Sequence, residues 1–208
     1  MIRILIADDH PVVREGLKQI ISKSPDLTVT AEALSGFEVI ERIVKEEFDI
    51  IVLDLSMPGK DGLEVLKDIK TLKPSLPVLI LSMHPEEQIA LRTFKAGASG
   101  YLNKESAPGE LVNAVKKIVS GGKYISPALA EKLIPGMEKK EEYPHDSLSD
   151  REFQVFRLIA SGKDVDEIAE ELFISVKTVR TYRDRIIEKL NVKNNVEIAR
   201  YAIEHKLV

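Results

Sequence analysis

Apolar positions in the first 120 residues fall into two rhythms. Short, dense, β-branched runs occur at Ile2–Ala7, Thr28–Ala33, Ile50–Leu53, Val78–Ser82 and Gly100–Leu102. Between them lie stretches with the three-to-four-residue spacing of one helical face: Pro11–Ser22, Gly36–Glu46, Gly62–Leu72, Glu86–Ala96 and Pro108–Ser120. Strands alternating with helices predict β-α-β crossovers, hence an α/β domain with a doubly wound, five-stranded parallel sheet. Ile50-Ile51-Val52-Leu53 and Val78-Leu79-Ile80-Leu81 have no polar alternation, so both faces of those strands are expected to be buried.

The pattern weakens over 121–146. Gly121-Gly122 stops the preceding helix, Pro127, Pro135-Gly136 and Pro144 interrupt the chain beyond it, and Glu138 to Glu142 is a charged run. This reads as a linker with one short helix near Ala128–Leu133. Over 147–208 the pattern becomes wholly helical. Ser149 with Glu152 and Asp164 with Glu167 are capping boxes, and Ser175 and Asn194 are further N-caps. They predict helices over 150–161, 165–172, 176–190 and 195–205, a small all-α domain. No repeat at solenoid spacing is present.

Composition narrows the class. The chain has no cysteine, which excludes thiol catalysis, disulfides and zinc fingers. No apolar run approaches the roughly 20 residues of a membrane helix, and a strand begins directly after Met1, so a cytoplasmic protein without a signal peptide is expected. The net charge of −4 argues weakly against nucleic-acid binding, so the distribution of charge decides. Residues 1–120 carry 15 basic and 18 acidic side chains, and residues 147–208 carry 11 of each. Ser175 to Leu190 holds Lys177, Arg180, Arg183, Arg185 and Lys189 against Asp184 and Glu188. One basic helix on a neutral domain is a local footprint for DNA.

In a doubly wound sheet, ligands bind beyond the carboxyl ends of the strands. Asp8 and Asp9 end the first strand, Asp54 the third and Ser82 the fourth, and Lys104 follows the fifth. Three carboxylates at one sheet edge repel one another unless a cation lies among them. Hard oxygen donors suit Mg²⁺. A solvated, idle acidic cluster is the plainer alternative, but it does not explain why these residue types all fall at strand ends.

Asp8-Asp9, Asp54, Ser82 and Lys104, together with Met57-Pro58-Gly59 and Gly97-Ala98-Ser99-Gly100-Tyr101-Leu102, resemble the flavodoxin-like receiver domain of two-component response regulators. The resemblance implies that Asp54 accepts a phosphoryl group from a sensor histidine kinase. It implies that Asp8 and Asp9 hold Mg²⁺ with Asp54 and the carbonyl of Ser56. Lys104 would stabilise the phosphate, and Ser82 and Tyr101 would form the switch. Ser56 and His84, each two residues beyond a key position, would tune the lifetime of the acyl phosphate.

On a helical wheel, Val176, Val179, Ile186, Ile187 and Leu190 share one side of the third C-terminal helix, and Lys177, Arg180, Thr181, Asp184 and Glu188 the other. With a short helix and the turn Phe173-Ile174-Ser175 ahead of it, this is helix-turn-helix order. Lys177, Arg180 and Thr181 fall where base edges are reached, and Ser175, Thr178 and Arg183 where phosphates are. Charge alone would equally suit a solvated bundle helix. Leu148-Ser149-Asp150-Arg151-Glu152, Ile168-Ala169-Glu170-Glu171-Leu172 and Ser175 to Tyr182 resemble the LuxR-type domain, however, and the combination resembles the NarL/FixJ family. Two departures bear on base choice: Tyr182 stands where that family usually has histidine, and Asp184 lies on the groove side. Val196, Ala199, Ile203 and Leu207 form an apolar stripe along the last helix, which packing within its own domain would also explain. The resemblance implies that this helix, through Val196, Ala199 and Ile203, pairs two copies on inverted half-sites of double-stranded DNA. It also implies a homodimer forming on activation. The expected function is a phosphorylation-controlled transcription regulator. The alternatives are a Mg²⁺-dependent phosphatase, which lacks any substrate-binding insertion here, and a signalling adaptor that binds only proteins.

Overall fold

The computed structural model describes the chain except residues 58, 59, 61, 84–86, 127, 128, 131–142 and 206, and the side chains of 87 and 88. It divides into two compact units, Met1–Glu138 and Lys139–Val208.

In the first unit the order is β1 (Ile2–Ala7), α1 (Pro11–Ser22), β2 (Leu27–Ala33), α2 (Gly36–Lys45), β3 (Ile50–Asp54) and α3 (Gly62–Leu72). The chain continues through β4 (Val78–Ser82), α4 (Glu87–Lys95), β5 (Gly100–Asn103), α5 (Ala107–Val119) and β6 (Tyr124–Ile125). All pairings are parallel, in the order β2-β1-β3-β4-β5-β6. Every residue of β3 and β4 is buried, as their unbroken apolar runs predict. Ile4, Ile6, Val52, Leu79 and Leu81 share a core with Leu17 and Ile21 of α1 and Leu111, Val115 and Ile118 of α5.

Six strands replace the expected five. β6 lies inside the segment read as linker and pairs with Gly100 and Tyr101. Gly121, at φ +91°, turns the chain back after α5, and the Tyr124 amide donates to the Ser99 carbonyl. The Tyr124 hydroxyl donates to Glu110 Oε2 at 2.5 Å. Of the short helix expected near Ala128–Leu133, Leu129 and Ala130 are helical and the rest lies outside the described residues, as does Glu138 to Glu142.

The second unit holds a 3-10 turn (Pro144–Ser147) and α6 (Asp150–Ala160), α7 (Val165–Leu172), α8 (Val176–Leu190) and α9 (Asn195–Glu204). All four expected N-caps are made: the side chains of Ser149, Asp164, Ser175 and Asn194 each accept an amide hydrogen from the first turn. Glu152 and Glu167 complete the two capping boxes. Phe173 ends α7 in the left-handed conformation, φ +53°, and this sharp stop sets the turn into α8.

Candidate functional site

Sheet register assembles the acidic edge. Ala7 lies opposite Leu53, Asp54 opposite Leu81, and Ser82 opposite Asn103. Asp8, Asp54, Ser82 and Lys104 therefore leave the sheet at one level, where β1 and β3 diverge toward α1 and α3. This is the switch point of the strand order. The Lys104 amide donates to the Ser82 carbonyl at 2.8 Å, which locks the loop after β5 to the end of β4. Gly62 closes the loop after β3: a Cβ there would meet the Leu55 Cα at 2.4 Å and the Asp54 carbonyl oxygen at 2.9 Å.

The side chains converge as well. The Lys104 ammonium lies 2.7 Å from Asp8 Oδ2 and 2.9 Å from Asp54 Oδ2, with both carboxylates only 1% exposed. Two buried carboxylates thus share one ammonium, and the half-buried Asp9 stands beside them. Among the described residues, Asp8 Oδ2, Asp9 Oδ1 and both carboxylate oxygens of Asp54 are buried without an aligned hydrogen-bond donor. Lys104 sits at ion-pair distance from two of them, a compact point charge shared between Asp8 Oδ2 and Asp54 Oδ2. Burial pushes the Asp54 carboxyl above the ordinary carboxylate range, with Asp8 adding to it and Lys104 opposing. Burial acts to lower Lys104, but the charges of Asp54 and Asp8 outweigh it and hold the ammonium above its usual value.

Asp8, Asp9, His10 and Asp54 offer one ligand atom each, all within 4.8 Å of one another. Buried, donor-poor carboxylate oxygens around a single ammonium leave uncompensated negative charge, and that is a fit for a hard divalent cation. His10 was not among the residues singled out from the sequence. Its position straight after Asp8-Asp9 was the available signal, and the turn into α1 brings its ring back over them.

Ser82 and Tyr101 are both buried, at 2% and 1% exposure. The Tyr101 ring is thus inside the domain in this structure. Ser56 is exposed at the mouth of the site. His84 lies outside the described residues, as do Pro58 and Gly59.

In the second unit α8 presents Ser175, Lys177, Arg180, Thr181 and Asp184 to solvent, with Thr178 and Arg183 half-buried. Val179, Ile186 and Leu190 are buried, as the wheel predicts. Lys177 and Arg180 have no ion-pair partner among the described residues. Ser175 is occupied in capping: its Oγ accepts from the Thr178 amide and lies 2.8 Å from the Thr178 hydroxyl. Thr181 Oγ1 donates to the Lys177 carbonyl. Arg183 Nε donates to Asn195 Oδ1 at 2.6 Å, tying α8 to α9, and its Nη1 approaches Asp184 at 3.4 Å. Lys189 turns inward to Glu152 Oε2 at 2.6 Å and to the Ser147 carbonyl. Two of the five cations of this helix are thereby engaged within the domain, so its outward charge is smaller than the sequence suggests.

On α9, Val196 and Ile203 are 78% and 68% exposed and Ala199 is half-buried. Leu207 does not extend that outward stripe. It is 1% exposed, and its amide donates to the Ala202 carbonyl, so the chain folds back after the helix and buries it in its own domain.

A sheet edge that gathers buried carboxylates around one lysine, in a chain that also folds a helix-turn-helix unit, is the arrangement of a response regulator with a DNA-binding domain. Residues 4–116 match the response regulator receiver domain and residues 146–202 the luxR family of bacterial regulatory proteins. The chain is 36% identical over 209 residues to the response regulator UvrY of Escherichia coli, covering all of this chain and 96% of that one. It is 34% identical over 210 residues to the response regulator GacA of Pseudomonas aeruginosa, covering all of this chain and 98% of that one. Among solved structures it is similar to RcsB from Salmonella enterica serovar Typhimurium bound to promoter rprA in the presence of phosphomimetic BeF3-. That match has 30% identity and a TM-score of 0.68, and covers 97% of this chain and 98% of that one. The chain belongs to the NarL/FixJ family of response regulators, DNA-binding transcription regulators of two-component systems rather than turnover enzymes. Among the described residues, no helix is long and apolar enough to cross a membrane.

Proposed function

We propose that Asp54 is the phosphoacceptor of this regulator, and that its phosphorylation by a sensor histidine kinase controls DNA binding by the second unit. The observation that carries the reading is the buried Asp8–Lys104–Asp54 cluster, in which two carboxylates share one ammonium. An ionised Asp54 oxygen attacks the phosphorus of the donor, a P–O bond forms and the P–N bond to the kinase histidine breaks. Lys104 favours the ionised form of Asp54 beforehand and faces the phosphoryl oxygens afterwards. Asp8 and Asp9, with Asp54 and the Ser56 carbonyl, would hold Mg²⁺, which when bound neutralises charge on the transferred group. Ser82 and Tyr101, both buried beside the site, are the groups that reorganise when phosphate arrives, while Ser56 and His84 set how fast it is lost. The receiver comprises residues 1–120 with β6 completing its sheet from within the 121–146 linker, and the DNA-binding domain comprises 147–208, all in the cytoplasm.

With Mg²⁺ and acetyl phosphate, the wild-type chain is expected to form an acyl phosphate that hydroxylamine releases, and Asp54→Ala to form none. An equal yield from both proteins would place the acceptor elsewhere.

In the second unit, Lys177, Arg180 and Thr181 would meet base edges, Ser175, Thr178 and Arg183 phosphates, and Asp184 a base amino group. Two copies would pair through Val196, Ala199 and Ile203 on inverted half-sites. Arg180→Ala is expected to cost about 1–3 kcal/mol on the selected sequence and to relax the preference at one base position. Equal weakening on every sequence, with a salt slope lower by about one, would make Arg180 a phosphate contact instead.

A further inference from the structure

Resting on the metal-site reading above, we infer that His10 is a ligand of the divalent cation and biases this pocket toward transition-metal ions over Mg²⁺. His10 Nδ1 lies 2.9 Å from Asp9 Oδ1 and 3.3 Å from Asp8 Oδ1. Adjacent ligands of an octahedral ion held at ~2.1 Å are about 3 Å apart, so these spacings are those of one edge of a coordination shell. The ligand atoms of His10, Asp8, Asp9 and Asp54 all fall within 4.8 Å of one another.

The ring is held at that spacing by its place in the fold. His10 is the N-cap residue of α1, and its own amide donates to Asp8 Oδ1 at 2.8 Å. Pro11 follows it and fixes the entry angle of the helix. The imidazole makes no capping hydrogen bond to α1. Beyond the carboxylates it faces, no other ring-nitrogen partner is seen among the described residues. Arg14, the nearest cation on α1, is turned away: its Nε donates to Glu32 and its Nη1 to the Asp8 carbonyl, not to a carboxylate of the pocket.

The second, independent sign of a ligand is in the buried carboxylates. Asp54 is 1% exposed, and among the described residues no cation lies at its Oδ1, the Ser56 amide being the backbone group that acts on this carboxylate. Lys104 occupies the opposite oxygens, Asp54 Oδ2 and Asp8 Oδ2. Asp8 is thus shared, with Lys104 at its Oδ2 and His10 at its Oδ1, so the His10 side of the cluster is not the side that Lys104 occupies. Carboxylates alone suit Mg²⁺, whereas an added imidazole nitrogen favours first-row transition ions.

The probes are Mn²⁺ and Mg²⁺ with the full chain, without phosphodonor. Electron spin-echo modulation of bound Mn²⁺ is expected to show coupling to one ¹⁴N nucleus in wild type and none in His10→Ala. The preference for Mn²⁺ over Mg²⁺, from competition, is expected to fall about tenfold in His10→Ala. His10→Asn keeps a good N-cap residue for α1 and should lose the ¹⁴N signal likewise. If wild type and both variants bind Mn²⁺ without ¹⁴N coupling and with one shared preference, His10 is no ligand, though the pocket remains a cation site. If wild type binds neither ion while Asp9→Asn behaves identically, the metal site itself fails and the inference with it.

Discussion

Asp54→Asn is expected to make the receiver unit more stable while abolishing its ability to take up phosphate. Asp8 and Asp54 are each only 1% exposed at the side chain and share one ammonium. One buried charge is thereby in excess. Converting Asp54 to an amide of the same shape leaves a balanced Asp8–Lys104 pair and removes the repulsion. The gain in metal-free buffer should be about 1–2 kcal/mol, or several degrees in the first calorimetric transition of the full chain. Its pH dependence has a definite sign. Because the folded pKa of Asp54 is raised, the native state binds more protons than the unfolded chain between the ordinary value and the raised one. Stability from this group therefore falls as pH rises through that window. The advantage of Asp54→Asn should be complete above the raised pKa and vanish as pH falls below the ordinary carboxylate range. Saturating Mg²⁺ should stabilise wild type more than the variant. A variant less stable than wild type at neutral pH would show that the cluster is balanced without a cation.

The second large effect concerns Lys189. Glu152 is 3% exposed, yet it caps the Ser149 amide at 2.7 Å and accepts from Lys189 Nζ at 2.6 Å. Burial acts to raise the Glu152 carboxyl, but Lys189 and the Ser149 donors outweigh it and hold it below the usual range. Lys189→Met leaves that carboxylate with the Ser149 donors alone, and since Lys189 is itself partly exposed a loss of about 1–3 kcal/mol is expected. Adding Glu152→Gln should recover part of it, since no charge is then left unpaired. For a depressed pKa, the stabilising contribution is present above the unfolded value and lost as pH falls through the folded one. The penalty of Lys189→Met should thus shrink in acid. A loss of DNA affinity by Lys189→Met with an unchanged melting point would assign this lysine to phosphate binding instead.

The strand ends that bear Asp8, Asp54, Ser82 and Lys104 were legible in the sequence because unbroken apolar runs fix where buried parallel strands stop. The four N-caps of the second unit were legible because Ser, Asp and Asn side chains compete for backbone amides in a local, position-specific way. The sixth strand was not. Two residues, Tyr124 and Ile125, are too few to carry a period, and their pairing is decided by Gly121 and the open edge of β5. Charge counting could not foresee that Lys189 and Arg183 would be engaged by Glu152 and Asn195, 37 and 12 residues away. Leu207 was misplaced for a related reason: helical spacing was extended past Glu204, where the chain already turns inward. Tyr101 carried no signal of its depth, because a strand tyrosine serves equally well half-exposed.

The most direct test of the central claim is selection of random DNA duplexes by wild type and Asp54→Ala, each with and without Mg²⁺ and acetyl phosphate. Phosphodonor is expected to tighten wild-type binding to an inverted repeat and to leave Asp54→Ala unchanged. Wild-type binding that is the same with and without phosphodonor would contradict control of the DNA-binding domain through Asp54.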